Sequence, residues 1–163
     1  MVELIWVDIE TTCLDPDKGC ILEIAAIHTD DSFKELNCFT VKVQRDPDAF
    51  INDYCLIQHA KSGLWDTFGA VPLYEAEYRF RHRLKAWGKL PMAGSEVGNF
   101  ERVWFAKHMP NILPLFDRRS FNINSILMWE GKDINQLKRN RRHRAIADLR
   151  QDLEFVRGLR DKA

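Results

Sequence analysis

Seven residues near the start, LIWVDIE (4–10), constrain this chain more than any other stretch. A short apolar run bounded by polar residues reads as a strand buried on both faces. Yet two carboxylates, Asp8 and Glu10, sit inside it with one residue between them. Residues i and i+2 of a strand point to the same face, so the two acids stand side by side. Like charges that close repel, and burying them unpaired is costly. A cation between them, a shared proton, or an exit of the strand into solvent would each resolve the conflict. Alone, the D-x-E pattern favours the last of these.

The rest of the chain supplies the frame for that strand. CILEIAAIHT (20–29) and FKELNCFTVKV (33–43) follow as β-prone runs, predicting an opening three-stranded meander. Residues 48–70, which include QHAKSGLWD (58–66), carry irregular helical signals. Between Pro72 and Trp87 the spacing of Leu73, Ala76, Phe80, Leu84 and Trp87 predicts an amphipathic helix. A fourth strand is expected over 92–97, a helix over 100–109 that Pro110 stops, and a fifth strand over 120–123. A helix near 125–129, a basic loop over 139–144 and a last helix over 145–160 complete the chain. That last helix turns Ile146, Leu149, Leu153 and Val156 to one side. With no repeat or linker, the pattern predicts one α/β domain over residues 1–163, a central mixed five-stranded sheet flanked by helices.

Composition excludes little. Lysine plus arginine is 24 and aspartate plus glutamate is 24, so net charge points to no nucleic-acid partner, and local charge has to carry that argument. Cys13, Cys20, Cys38 and Cys55 show no C-x-x-C spacing. The opening MVELIWVD has no basic leader region, and no apolar stretch reaches the length of a membrane span. The expectation is a reduced, cytoplasmic protein without a membrane partner.

Two further constellations bear on the acids. HRAIAD places His143 and Asp148 five residues apart at the start of the last helix, after KRNRRHR (138–144), where six of seven positions are basic or potentially so. VGNFERVWFAKHMP (97–110) opens a helical pattern on Glu101. Singly, these read as a capped helix behind a solvated basic loop and as an acid favouring a helix dipole.

Together they resemble the DEDDh 3′-to-5′ exonucleases, and within them the oligoribonucleases. D-x-E-T-T (8–12) is similar to that family's first motif and H-x-A-x-x-D (143–148) to its third. The likeness runs from LIWVDIETT through QHAKSGLWD and ERVWFAKHMP to HRAIADLRQDLEF. It implies a ribonuclease H-like fold and release of nucleoside 5′-monophosphates from the 3′ end of short single-stranded RNA or DNA, RNA favoured. By the same likeness Asp8, Glu10 and Asp148 match metal ligands and His143 matches the general base. Counting back from Met109 and Pro110, Glu101 takes the place of the second motif's aspartate.

Two divalent ions, Mg2+ or Mn2+, about 3.5–4 Å apart would activate the water, stabilise the crowded phosphorus and assist the leaving oxygen. Hard cations take oxygen ligands, which accounts for carboxylates at these positions. An imidazole that titrates near neutral pH suits the role of base. Thr11, Leu14, His59, Phe100, Arg118 and Arg142 match, or lie beside, positions expected to face substrate. The basic positions Arg139, Arg141, Arg142 and Arg144 flank His143, where salt-sensitive contacts to a strand are expected.

The sequence also departs from the family. Cys13 stands where a turn glycine is usual, and its acidic neighbours Asp8, Glu10 and Asp15 disfavour a reactive thiolate. Arg118 stands where oligoribonucleases carry a tyrosine that reaches the partner protomer, and Asn122 replaces an aspartate. These changes leave homodimerisation and dinucleotide specialisation open. The competing readings are a DNA-directed 3′-to-5′ exonuclease of repair or replication, and an inactive nucleic-acid binding module on the same fold.

Overall fold

The computed structural model describes residues 2–133, 135 and 142–160. Its centre is strand β1 (Leu4–Thr11), buried along its whole length. It pairs antiparallel with β2 (Ile21–Thr29), which pairs antiparallel with β3 (Glu35–Lys42). On its other side β1 runs parallel to β4 (Met92–Gly94), which is parallel to β5 (Ser120–Asn122). The sheet order is β3-β2-β1-β4-β5, the mixed five-stranded sheet expected from the sequence.

Alternation along β1 and β2 sorts their side chains between two cores. Ile5, Val7 and Ile9 with Ile24 and Ala26 face one side, where they meet helix α2 (Leu73–Trp87), helix α3 (Glu101–His108) and a 3-10 helix at Pro110–Leu115. On the α2 stripe, Ala76, Phe80 and Leu84 are fully buried, and Phe80 stacks on Phe39 with ring centroids 5.1 Å apart. Leu4 and Trp6 with Ala25 and Ile27 face the other side, against helix α4 (Ile123–Trp129) and helix α5 (Ala145–Arg160). On α5 the buried stripe is Ala145, Leu149, Leu153 and Val156, while Ile146 lies at its margin.

Helix boundaries follow their caps. The irregular signals of residues 48–70 resolve into helix α1 (Asp53–Ser62), begun by Asn52, whose side chain accepts from the Cys55 N–H at 2.7 Å, and ended by Gly63 in the left-handed conformation. Asn122, one of the departures noted in the sequence, caps α4 by accepting from Ser125 N–H. That cap starts the helix two residues earlier than its apolar pattern predicts. Among the described residues no helix is long and apolar enough to cross a membrane.

Candidate active site

The parity of β1 decides where the two acids go. Asp8 and Glu10 continue the face of Leu4 and Trp6, so they point toward α5 and away from α2. From the first turn of α5, Asp148 comes to meet them. One carboxylate oxygen each from Asp8, Glu10 and Asp148 lies within 4.8 Å of the others. Asp148 is almost wholly buried, and Asp8 and Glu10 are each 9% exposed. Its orientation is fixed by the Arg142 backbone N–H, which donates to Oδ1 at 2.8 Å.

Next to this cluster opens a cleft of about 260 Å³, lined by Asp8, Leu14, Tyr54, Ser95, Glu96, Phe100, Glu101 and His143. Glu101, the first residue of α3, is buried at the cleft wall. His143 holds a left-handed backbone with φ of 52°, which few residues other than glycine adopt. Its ring lies edge-on to Tyr54 at 5.8 Å. Leu14 and Tyr54 are largely exposed at the rim, and Phe100 leans on Trp104. All five residues expected to do chemistry, Asp8, Glu10, Glu101, His143 and Asp148, therefore gather at one end of the sheet.

The turn after β1 presents Leu14. The β1–β2 pairing slips between Glu10 and Thr11, a bulge that ends the strand just past the second acid. Thr11 Oγ1 donates to the Cys13 carbonyl at 2.7 Å, and Thr12 pairs with Cys20 through both its N–H and its hydroxyl. Cys13 is buried, and its Sγ donates to the Asp15 carbonyl. Gly19 packs directly on it: a methyl group there would meet Cys13 Sγ at 2.7 Å, Thr12 Oγ1 at 2.8 Å and Trp104 Cη2 at 2.9 Å.

Other expected residues fall elsewhere. Thr11 is buried and occupied within the turn. His59 is buried beneath the cluster, not displayed on the surface of its helix. Its Nε2–H donates to the Thr11 carbonyl at 2.8 Å, while Nδ1 faces Glu10 Oε2 at 3.8 Å. Burial pushes the His59 pKa down, partly opposed by the bond to Thr11. Arg142 touches the cluster through its backbone, and it lines a separate cleft with Ile146 and Arg150. Arg118 is exposed on the loop before β5. Ser120 pairs with Met92, which is in register with Ile5. That puts Arg118 past the far end of β1, roughly 23 Å along the strand from Glu10. Arg139 and Arg141 lie outside the described residues.

Sequence reasoning missed Glu23, Tyr54 and Glu96. Glu23 sits directly opposite Glu10 across the antiparallel pair and is 2% exposed. Arg144 grips both its oxygens, Nη2 to Oε1 at 2.7 Å and Nε to Oε2 at 3.2 Å, and Ala145 N–H donates to Oε2 at 2.9 Å. That pairing raises the Arg144 pKa. Glu96 Oε1 accepts from Asn124 Nδ2 at 2.7 Å on the cleft wall. The one available signal was a carboxylate inside the apolar run CILEIAAIHT.

Comparison with known proteins agrees with the geometry. The RNase T exonuclease family model matches residues 5–67. The chain is 30% identical to the oligoribonuclease of Haemophilus influenzae, an alignment covering 93% of this chain and 89% of that protein. It is 31% identical to the oligoribonuclease of Mannheimia succiniciproducens, covering 97% and 91%. Among solved structures, exonuclease I from Methylocaldum szegediense superposes with a TM-score of 0.76 at 17% identity, covering 99% of this chain and 41% of that one. Escherichia coli exonuclease I bound to a dT13 oligonucleotide gives 0.71 at 13% identity, covering 96% and 40%. The chain thus spans about two fifths of these exonuclease I chains, and that likeness is one of fold.

Proposed function

Because the chain belongs to the oligoribonuclease family of exonucleases, we propose that it removes nucleoside 5′-monophosphates one at a time from the 3′ end of short single-stranded RNA. The observation that carries this reading is the meeting of Asp8, Glu10 and Asp148 within 4.8 Å, beside a cleft that also holds Glu101 and His143. The donor set suits divalent ions. It is all carboxylate oxygen, drawn from a strand and a helix whose positions are fixed by two cores, and like charges so close gain from a shared cation. Asp8, Glu10, Glu101 and Asp148 would hold two ions, Mg2+ or Mn2+. Such ions, when bound, lower the pKa of water and neutralise charge at the phosphoryl group.

The chain's own residues do the rest. His143 accepts the proton of the attacking water at its imidazole nitrogen, from a backbone conformation that holds the ring at the cleft mouth. Leu14 and Tyr54 offer exposed apolar and aromatic surface at the rim, and Phe100 adds a ring on the opposite wall, so that terminal bases are gripped by stacking without sequence readout. Arg142, exposed beside the site, draws the phosphate backbone in. In this reading residues 1–163 work as one catalytic domain in the cytoplasm.

The test uses 5′-labelled RNA and DNA oligomers of two to twenty nucleotides with magnesium, manganese or a chelator. A ladder shortening from the 3′ end, faster for RNA and lost with chelator or in Asp8→Ala, is expected. Equal or faster shortening of DNA would transfer the reading to a DNA-directed exonuclease. Metal binding without cleavage of either would refute the enzyme and leave a binding module.

A further inference from the structure

We propose that the pair formed by buried Glu23 and half-buried Arg144 is a positioning clamp that sets the turn carrying His143 over the carboxylate cluster. The proposal rests on the exonuclease reading above and adds two positioning residues to it. Glu23 faces α5 because it shares its side of β2 with Ala25 and Ile27. Four hydrogen bonds converge on its carboxylate. Arg144 Nε donates to Oε1 at 3.1 Å and to Oε2 at 3.2 Å, Arg144 Nη2 to Oε1 at 2.7 Å, and Ala145 N–H to Oε2 at 2.9 Å. The Arg144 carbonyl in turn accepts from Ala147 and Asp148 N–H and starts the helix. The cap of α5 is therefore supplied by a side chain 122 residues away in sequence.

Two anchors bracket His143. On one side Arg142 N–H is tied to Asp148, and on the other Arg144 and Ala145 are tied to β2. A residue between two fixed neighbours has little freedom of its own, and His143 is held at φ 52°. Holding the helix is not the reason for the pair. The body of α5 is already seated by Ala145, Leu149, Leu153 and Val156 in the core, and an ion pair whose arginine is about a third exposed adds little net stability. What the clamp adds to these contacts is a direct tie from the turn 142–145 to the sheet beside β1, since Glu23 is the cross-strand neighbour of Glu10. One carboxylate thus ties the base-bearing turn to the metal-binding strand. The same arginine relieves the repulsion between Glu10 and Glu23, which stand opposite each other.

The test compares the whole chain with Glu23→Gln, Arg144→Met and the double variant, reading kcat and KM on a short RNA oligomer, Mn2+ affinity, and amide hydrogen exchange. Supporting-shell changes of this kind cost about 10–100-fold, so each single variant should lose that much in kcat while KM and Mn2+ affinity stay within about twofold. The double variant should be no slower than the slower single, and in a His143→Ala background Glu23→Gln should change the residual rate by less than about twofold. Amides of residues 142–145 should exchange faster in Glu23→Gln, with those of 149–156 unchanged. Unchanged kcat in folded variants, a further tenfold or so loss in the His143→Ala background, or unchanged exchange at 142–145 would overturn the clamp. If Arg144→Met fails to fold, Arg144→Lys replaces it, with a smaller kcat loss expected because lysine keeps the charge and loses the fork. Should the wild-type chain cleave no oligomer, the exonuclease reading fails, and the exchange measurement still decides whether Glu23 holds the turn.

Discussion

Replacing Asp8 by asparagine keeps the shape of the side chain and removes one charge from the carboxylate cluster. One carboxylate oxygen each of Asp8, Glu10 and Asp148 lies within 4.8 Å of the others. Two unit charges at that separation repel by about 0.9 kcal/mol in bulk water and about 3.5 kcal/mol at an effective dielectric of 20. Asp8 takes part in two of the three pairs, so neutralising it relieves about 2 to about 7 kcal/mol before proton uptake and counterions diminish the figure. About 1–2 kcal/mol should survive in a metal-free buffer at low salt, a rise of roughly 3–6 °C in Tm for a chain of this size. Divalent ions should reverse the order. A ligand at a hundred times its Kd stabilises the folded state by about 2.7 kcal/mol, a gain the wild type should show and the variant should lose. Calorimetric melting in EDTA and across a magnesium or manganese titration reads both halves. An Asp8→Asn protein that melts below wild type in EDTA, or that gains as much from the metal, would refute the account of β1 as a strand strained by its own ligands.

Three further outcomes follow from the same geometry. His143→Ala should keep the metal-dependent rise in Tm and lose about 10²–10⁴-fold in turnover, the usual contribution of a general base; near-normal rates in a steady-state assay would remove His143 from that role. Gly19→Ala drives a methyl into three contacts under 3.0 Å, and overpacking of this kind costs about 1–3 kcal/mol, so a drop of roughly 3–10 °C is expected by scanning calorimetry. Adding Cys13→Gly should recover only part of it, since Thr12 and Trp104 remain. Burial holds the folded pKa of His59 below its usual 6.5, so the unfolded chain binds the proton first as pH falls. The stability this confers is complete above 6.5 and lost as pH drops through the folded value. Between pH 7.5 and 5.5 the wild-type Tm should fall further than that of His59→Gln, whose amide can still donate to Thr11; parallel curves would argue against a neutral buried imidazole.

What could be read from the sequence is what lies close together along it. The period-two face of β1 put Asp8 and Glu10 side by side, and H-x-A-x-x-D put His143 in the turn just before the last helix and Asp148 in that helix's first turn. Both spacings survive folding because they are local. Element ends were legible to within the reach of their caps. Asn52 and Asn122 moved α1 and α4 away from their apolar patterns, because a cap is a hydrogen bond and not a hydrophobic period. Burial of His59 was illegible, since α1 carries only Cys55 and His59 on its buried side and a short helix with so thin a stripe has no strong face. Glu23 was hidden for a deeper reason. Its role depends on the β1–β2 register, which sets it against Glu10, and on the seating of α5, which brings Arg144 from 121 residues away. Neither is encoded in a motif. Both follow once the bulge after Glu10 fixes that register, because a slip of one residue would turn Glu23 to the opposite face and leave Arg144 without its partner. The proposed ligands of the site are therefore written in three short stretches, while the proposed alignment of the first with the last rests on Glu23, which belongs to none of them.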